Sequence, residues 1–246
     1  MPVRSRSLVL AAGVALLTAG LLTACATPAG SGGTPAPSGS ADSSGQSTEI
    51  EVDAAWLDGG RMIGLVTEGS STCVPSAGET TYENAVLTVE LVEPSGDTAC
   101  TRDLVPRVTV VGLPEGVDPT QELEIRVTGE DLHGDTDLDG VPGLTPGTET
   151  DYLPSAGWTD TDGQFVLLTW GSSSCAPVIS EVAASGPAEV TVTFETPAAD
   201  QVCTMDMAPR AAVAVVDGLE EDSDVTLVLV GGPEFDNVRI PIYGSN

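Results

Sequence analysis

The chain has no lysine, a single histidine, and aromatic side chains at only 4 % of its positions. Its eight basic residues are all arginines, against 37 acidic residues, and the formal net charge is −29. A field of this sign repels nucleic acid and anionic membrane surfaces, so we expect no nucleic-acid partner. The few aromatic side chains predict small hydrophobic cores that need further stabilisation.

The sequence also has few of the motifs that mark enzymes. A Ser-His-Asp triad or a zinc site would have to be assembled around the one histidine, His133. The Gly-Ser-Ser runs at Gly69 and Gly171 lack the strand–turn–helix context of a nucleophile elbow, and their hydroxyls are better explained as groups that cap backbone amides. We find no phosphate-binding loop or dinucleotide fingerprint. The sequence therefore predicts a protein that is not an enzyme, with a carboxylate-based hydrolase as the enzymatic alternative.

Helical periodicity is absent after the N-terminus, whereas valine, threonine, glycine and proline are plentiful. Short apolar segments alternate with turn residues, which is typical of an all-β protein. The absence of βαβ patterns argues against a solute-binding protein of a transporter. We predict strands at the following ranges: 49–56, 61–67, 84–92, 107–113 and 121–127, then 164–170, 178–182, 188–195, 210–216, 225–230 and 237–243.

One stretch of the chain occurs twice. The run from Gly69 to Pro75 matches Gly171–Pro177, and Cys100–Arg107 matches Cys203–Arg210. We call residues 48–130 repeat 1 and residues 154–246 repeat 2. The duplication predicts two tandem homologous small antiparallel β-sandwich domains, with an immunoglobulin-like arrangement as one option, joined by an Asp/Gly/Pro-rich linker at 131–153.

The first 24 residues have the pattern of an export signal. Arg4 and Arg6 precede an apolar run from Leu8 to Leu22, which is shorter than a typical membrane-spanning helix. The run ends in Leu22-Thr23-Ala24-Cys25, which resembles the lipobox of bacterial lipoproteins. The alternative is an ordinary signal peptide with an unmodified cysteine.

The resemblance implies that Cys25 is diacylated and anchors the protein to the cell membrane on its extracytoplasmic face. The arginine-only, alanine- and glycine-rich composition also resembles lipoproteins of high-GC Gram-positive bacteria. Residues 25–47 are rich in serine, glycine and proline, and they are predicted to form a disordered tether after the lipidated cysteine.

Lipidation of Cys25 would leave four of the five cysteines, and these allow three disulfide pairings. The duplication favours Cys73–Cys100 and Cys175–Cys203, because a bridge between repeats could not have existed before the copy was made. Disulfides persist in the extracytoplasmic compartment that the leader predicts.

Comparison of the two copies separates core residues from candidate contact residues. Trp56 and Trp158 are matched and are interpreted as packing anchors. Trp170 replaces Glu68 of repeat 1, so it is either a binding residue or an addition to the rim of the core. The recurring pairs Asp103 with Arg107 and Asp206 with Arg210 predict a structural ion pair in each repeat.

The linker contains a calcium-like motif, with Asp135, Asp137 and Asp139 at alternate positions before a glycine. This matches the opening of an EF-hand loop, but the twelfth position is Pro146 rather than a bidentate glutamate. The segment is thus either a calcium site or a solvated acidic connector. No other cofactor is predicted.

These observations predict a lipid-anchored binding or interaction module of the cell envelope, with an envelope protein or a glycan as its partner. The alternative is an envelope structural protein that binds no small-molecule ligand.

Overall fold

The computed structural model describes residues 47–96, 98–220 and 223–245. The leader, Cys25 and the tether as far as residue 46 lie outside the described residues. Fifteen strands and one short 3-10 turn (Asp58–Gly60) make up the regular structure of the described part, so the all-β prediction is confirmed.

Repeat 1 and the segment after it contain eight strands. These are β1 (Thr48–Glu49), β2 (Asp53–Leu57), β3 (Met62–Gly69), β4 (Ser76–Glu83), β5 (Val86–Val92), β6 (Val105–Gly112), β7 (Leu123–Thr128) and β8 (Leu132–Leu138). They form a three-stranded sheet in the order β2-β3-β6 and a five-stranded sheet in the order β1-β8-β7-β5-β4.

Repeat 2 uses the same strand order. Its strands are β9 (Ser155–Trp158), β10 (Gln164–Gly171), β11 (Ile179–Gly186), β12 (Glu189–Phe194), β13 (Ala208–Val215), β14 (Thr226–Gly231) and β15 (Phe235–Tyr243). The groups β9-β10-β13 and β11-β12-β14-β15 correspond to the two sheets of repeat 1. Here a parallel pairing of β15 with β9 joins them into one seven-stranded sheet.

Several details of the fold prediction are corrected. The sheets are mixed rather than fully antiparallel, because β5 pairs with β7 and β12 pairs with β14 in parallel. The two antiparallel sheets of an immunoglobulin arrangement are therefore not observed. The predicted linker at 131–153 contains β8. The sequence of this strand is polar enough to be mistaken for a linker, but its backbone pairs with β7 in the five-stranded sheet. Strands β4 and β9 were also missed.

Each repeat buries one core between its two groups of strands. In repeat 1, β2 and β3 contribute Trp56, Ile63 and Leu65, which pack against β5 and β7. In repeat 2, Trp158 and Phe165 pack edge to face, with ring centroids 5.5 Å apart, against β12 and β14. Trp56 and Trp158 are 1 % and 4 % exposed, which confirms their prediction as packing anchors.

The opposite faces of β3 and β10 pack against each other and join the repeats. Leu57, Val66, Val166 and Leu168 form a third buried cluster at this junction. The backbones approach closely: a Cβ on Gly157 would lie 2.3 Å from the carbonyl oxygen of Trp56. Both faces of the two inner sheets are therefore buried, which explains why β3 and β10 are apolar along nearly their whole length.

Candidate binding site at the second cystine

Both predicted disulfides are present, Cys73–Cys100 and Cys175–Cys203. They are compatible with an extracytoplasmic location. Each ties the loop after β3 or β10 to the segment before β6 or β13.

A network of hydroxyls and one carboxylate accompanies each disulfide, and we call it the cystine clasp. It consists of Ser70, Thr72, Thr101 and Asp103 in repeat 1 and of Ser172, Ser174, Thr204 and Asp206 in repeat 2. In each clasp a backbone amide donates to a hydroxyl at 3.0 Å, from Thr101 to Thr72 and from Thr204 to Ser174. The prediction that these hydroxyls cap backbone amides is confirmed, because the Thr72 and Ser174 hydroxyls accept hydrogen bonds from backbone amides of the loop.

The clasp carboxylates have unusually low pKa values. Hydrogen bonds from Ser71 and Thr101 lower the pKa of Asp103 to about 2. Those from Ser173 and Thr204 lower the pKa of Asp206 to about 2. Both side chains are therefore fixed acceptors at neutral pH, suited to holding a loop rather than to exchanging protons.

The predicted ion pairs within each clasp are wrong. Arg107 pairs with Glu93 at 2.9 Å, and Arg210 pairs with Glu234 at 2.6 Å. Each arginine also donates to the carbonyl of the first cysteine in its repeat, Cys73 or Cys175. The prediction failed because the aspartates accept hydrogen bonds from nearby amides and hydroxyls, which leaves the arginines to reach across the sheet.

A pocket of about 280 Å³ opens beside the disulfide of repeat 2. Phe194 at the end of β12 and Phe235 at the start of β15 stack in its wall, with ring centroids 4.4 Å apart. Three prolines, Pro177, Pro197 and Pro233, also line it. The wall is mostly apolar, and Glu195, Thr196, Gln201 and Glu234 provide side-chain polar groups.

Exposed apolar side chains lie on the segments that this disulfide connects. Val178, Val202, Met205 and Met207 are 55 %, 90 %, 104 % and 58 % exposed, respectively. We call these four residues the apolar collar. Two of its members border the pocket in sequence or in space: Val178 lines it, and Val202 lies between the lining residues Gln201 and Cys203. Isolated exposed apolar residues are ordinary, whereas a group of them on two segments joined by one disulfide, with Val178 in the lining of a pocket, indicates a contact surface.

Repeat 1 differs at three of the four collar positions. Alignment on the cysteines places Ser76 at the Val178 position, Ala99 at Val202, Arg102 at Met205 and Leu104 at Met207. Only Leu104 keeps a large apolar side chain, and it is 74 % exposed.

The corresponding pocket of repeat 1 carries more carboxylates. It lies between the end of β5 and the β7–β8 turn, has a volume of about 670 Å³, and is lined by Glu90, Glu93, Glu130 and Asp131 together with Leu91, Val92 and Leu132. The stacked phenylalanine wall and the collar are thus features of repeat 2 that the duplication alone does not explain.

Trp170 lies at the end of β10, where its ring packs against the cluster that joins the repeats. The Tyr152 ring meets it edge to face at 5.2 Å. Trp170 is partly buried, so the structure places it at the rim of the junction core and outside the lining of the second-cystine pocket.

The three aspartates of the calcium-like motif do not form a loop. Asp135 and Asp137 lie on β8, opposite Arg126 and Glu124 of β7, and Asp139 follows the strand. A strand cannot wrap its side chains around one ion, so the EF-hand-type geometry is not formed. In the described part of the chain, no group of three or more histidine, cysteine, aspartate or glutamate side chains is arranged to hold a metal ion. His133 lies exposed on the same strand.

A second acidic region lies where β2 and β3 meet the β9–β10 turn. Glu49, Glu51, Asp53, Glu68 and Asp135 line a groove of about 570 Å³. Partial burial, followed by the charges of Asp53, Asp139 and Asp137, raises the pKa of the neighbouring Asp160.

Comparison of the chain with protein-family models, curated proteins and solved structures finds no match. Within the described residues, no helix is long and apolar enough to cross a membrane. The second-cystine site therefore rests on its own geometry. A search for positions where the two copies differ could have found the collar from the sequence, because Met205 occupies the position that matches Arg102 of repeat 1. The pocket could not have been found in this way, because Phe194 and Phe235 are distant in the chain.

Proposed function

We propose that this chain is a lipid-anchored extracytoplasmic protein of the cell envelope, and that it binds a partner through the second-cystine end of repeat 2. The observation that carries the proposal is the pocket with its stacked Phe194–Phe235 wall and its collar. Repeat 1 has Ser76, Ala99 and Arg102 at three of the four collar positions and four carboxylates in the lining of its pocket. Surface exposure of this kind is costly for a solvated protein unless a partner covers it.

The clasp supports this interpretation of the site. A binding loop gains affinity when it is ordered before the partner arrives, because less conformational entropy is lost on association. The disulfide, the clasp hydroxyls and Arg210 all hold the segment that carries Val202, Met205 and Met207. Repeat 1 has the same ordering groups without the same apolar surface, so we interpret repeat 1 as the structural copy.

We also interpret the two halves as homologous sandwich domains that arose by duplication. Their matching strand order and cystine positions support this proposal. The anchored location rests on the Leu22-Thr23-Ala24-Cys25 motif.

Site-specific crosslinking in the native host tests the binding proposal. A photoreactive amino acid at position 202 should give a discrete crosslinked protein, and the same group at the matched position 99 should not. Combining position 202 with Met205→Arg and Met207→Ser should remove the product. Identical products from both positions, or none from position 202, would contradict the proposal.

Membrane fractionation tests the anchor separately. The unmodified chain should sediment with membranes, and Cys25→Ser should release it. A Cys25→Ser chain that stays in the membrane fraction would show that the leader is not a lipoprotein signal.

A further inference from the structure

The pocket at the second cystine has the size of one anchoring group. Small-molecule sites commonly have volumes of about 300–1,000 Å³. At about 280 Å³ the pocket lies at the lower end of that range and has room for one large apolar side chain. The stacked Phe194 and Phe235 and the prolines provide the apolar wall that such a side chain requires.

The two charged side chains that line the pocket, Glu195 and Glu234, are both acidic. They differ in whether an arginine pairs with them. The carboxylate of Glu234 is held by Arg210 at 2.6 Å. Glu195 also lines the pocket, and none of the ion pairs of the described residues uses its carboxylate. No arginine lines this pocket, so a partner would meet negative charge at its edge.

The charge of the whole chain favours the same class of partner. At −29, the protein attracts cationic segments over a distance and repels both a second copy of itself and anionic lipid surfaces. An apolar pocket with a free carboxylate at its edge, on a strongly acidic protein, fits a basic segment with an apolar anchor.

We propose that the second-cystine pocket binds a cationic segment of a partner protein, with one large apolar side chain in the pocket and an adjacent arginine or lysine at Glu195. This inference rests on the proposed function and specifies the partner's chemistry. The Phe194–Phe235 wall selects the anchor, and Glu195 selects the charge beside it.

Amide NMR of the full-length chain in detergent, titrated with defined peptides, provides the test. The probe is acetyl-Ala-Arg-Leu-Arg-Ala-amide, and its controls replace the leucine with alanine or both arginines with glutamate. The basic leucine peptide should shift the signals of Val178, Ala198 and Gln201 saturably. Both control peptides should bind at least about tenfold more weakly, which corresponds to about 1.4 kcal/mol.

Matched variants locate the binding. Ala198 is exposed and lines the pocket, so Ala198→Trp should block it and weaken binding about tenfold or more. Ser95 occupies the matching position in the acidic pocket of repeat 1, and Ser95→Trp should leave binding unchanged. Glu195→Gln should weaken binding about threefold, as expected for an exposed ion pair.

Several outcomes would overturn the proposal: no saturable shift up to about 10 mM peptide, equal binding of the acidic peptide, or equal loss from Ser95→Trp. Phosphatidylcholine or phosphatidylglycerol vesicles that shift the same signals more strongly than the peptide would assign the site to a membrane instead. Concentration-dependent shifts without peptide would assign it to self-association. If crosslinking from position 202 succeeds while the peptides fail, the binding role survives and only this partner chemistry is wrong.

Discussion

Repeat 1 and repeat 2 keep the same ordering elements and differ in what they expose. Each has a buried tryptophan, one disulfide, a four-residue clasp and an arginine that reaches the first cysteine's carbonyl. At the cystine end, repeat 1 presents glutamates and Arg102, whereas repeat 2 presents Met205 and an aromatic pocket. The comparison separates residues that build the domain from residues available for a partner.

The repeats also differ at the junction where their inner sheets stack. Asp58 is 5 % exposed and pairs with Arg61 through two hydrogen bonds. The matching Asp160 has Gly163 at the position of that arginine and three other aspartates nearby. The same residue type thus has an arginine partner in one copy and other carboxylates near it in the other.

The largest expected effect is loss of a disulfide, and it should be nearly the same in both repeats. The closed loops have sequence separations of 27 and 28. Replacing both cysteines of either pair by serine should cost about 3.5 kcal/mol of unfolding free energy in the chain-entropy model. Denaturant unfolding measures this, and a large inequality between the pairs would show that one copy does not depend on its bridge.

Gly157→Ala should destabilise the chain by about 1–3 kcal/mol, as overpacking does. The substitution introduces the residue that repeat 1 has at Ala55, but the added Cβ would meet the Trp56 carbonyl at 2.3 Å. Gly218→Ala is unsuitable as a control because Gly218 has a positive φ, whereas Gly112 has open space and an ordinary φ. Thermal unfolding should therefore show a much larger loss for Gly157→Ala than for Gly112→Ala.

Asp58→Asn and Asp160→Asn should change the free energy of unfolding at neutral pH in opposite directions. Removing the Asp58 charge leaves Arg61 without its carboxylate and should cost about 1–3 kcal/mol. Asp160→Asn should stabilise the fold at neutral pH, because the raised pKa means that ionisation of Asp160 opposes folding. That gain should appear as pH rises above the ordinary aspartate pKa of about 4 and be absent at lower pH. Unfolding at pH 3 and pH 7 measures both, and equal signs would refute the contrast.

The smallest effect concerns the clasp aspartates, which should respond alike to pH. Their pKa values of about 2 lie below the unfolded value, so their contribution is present above about pH 4 and is lost as pH falls toward 2. Asp103→Asn and Asp206→Asn should each lower the melting temperature slightly at pH 6, with the difference shrinking at pH 2. A loss from Asp206→Asn that persists at pH 2 would point to a role other than its charge.

Prediction from the sequence succeeded where the information was local or duplicated. The β class and most strands follow from composition and alternation, and the buried tryptophans and the cystine pairing follow from the copy. It failed at β8, where Asp135 and Asp137 face solvent on a strand that reads as a connector. It also failed for the arginine partners, since Glu234 lies in a turn 24 residues from Arg210.

The sequence by itself determined that this chain is built of β-strands and where each repeat is crosslinked, because alternation and spacing act between neighbours or between copies. Only the tertiary structure decided that the inner sheets stack and that a pocket opens beside the second disulfide. That pocket requires the end of β12 and the start of β15 to meet, and Phe194 and Phe235 are brought together by the order of the strands in the sheet. A contact between residues so distant in the chain depends on how the strands are arranged in space, and local sequence patterns do not determine that arrangement.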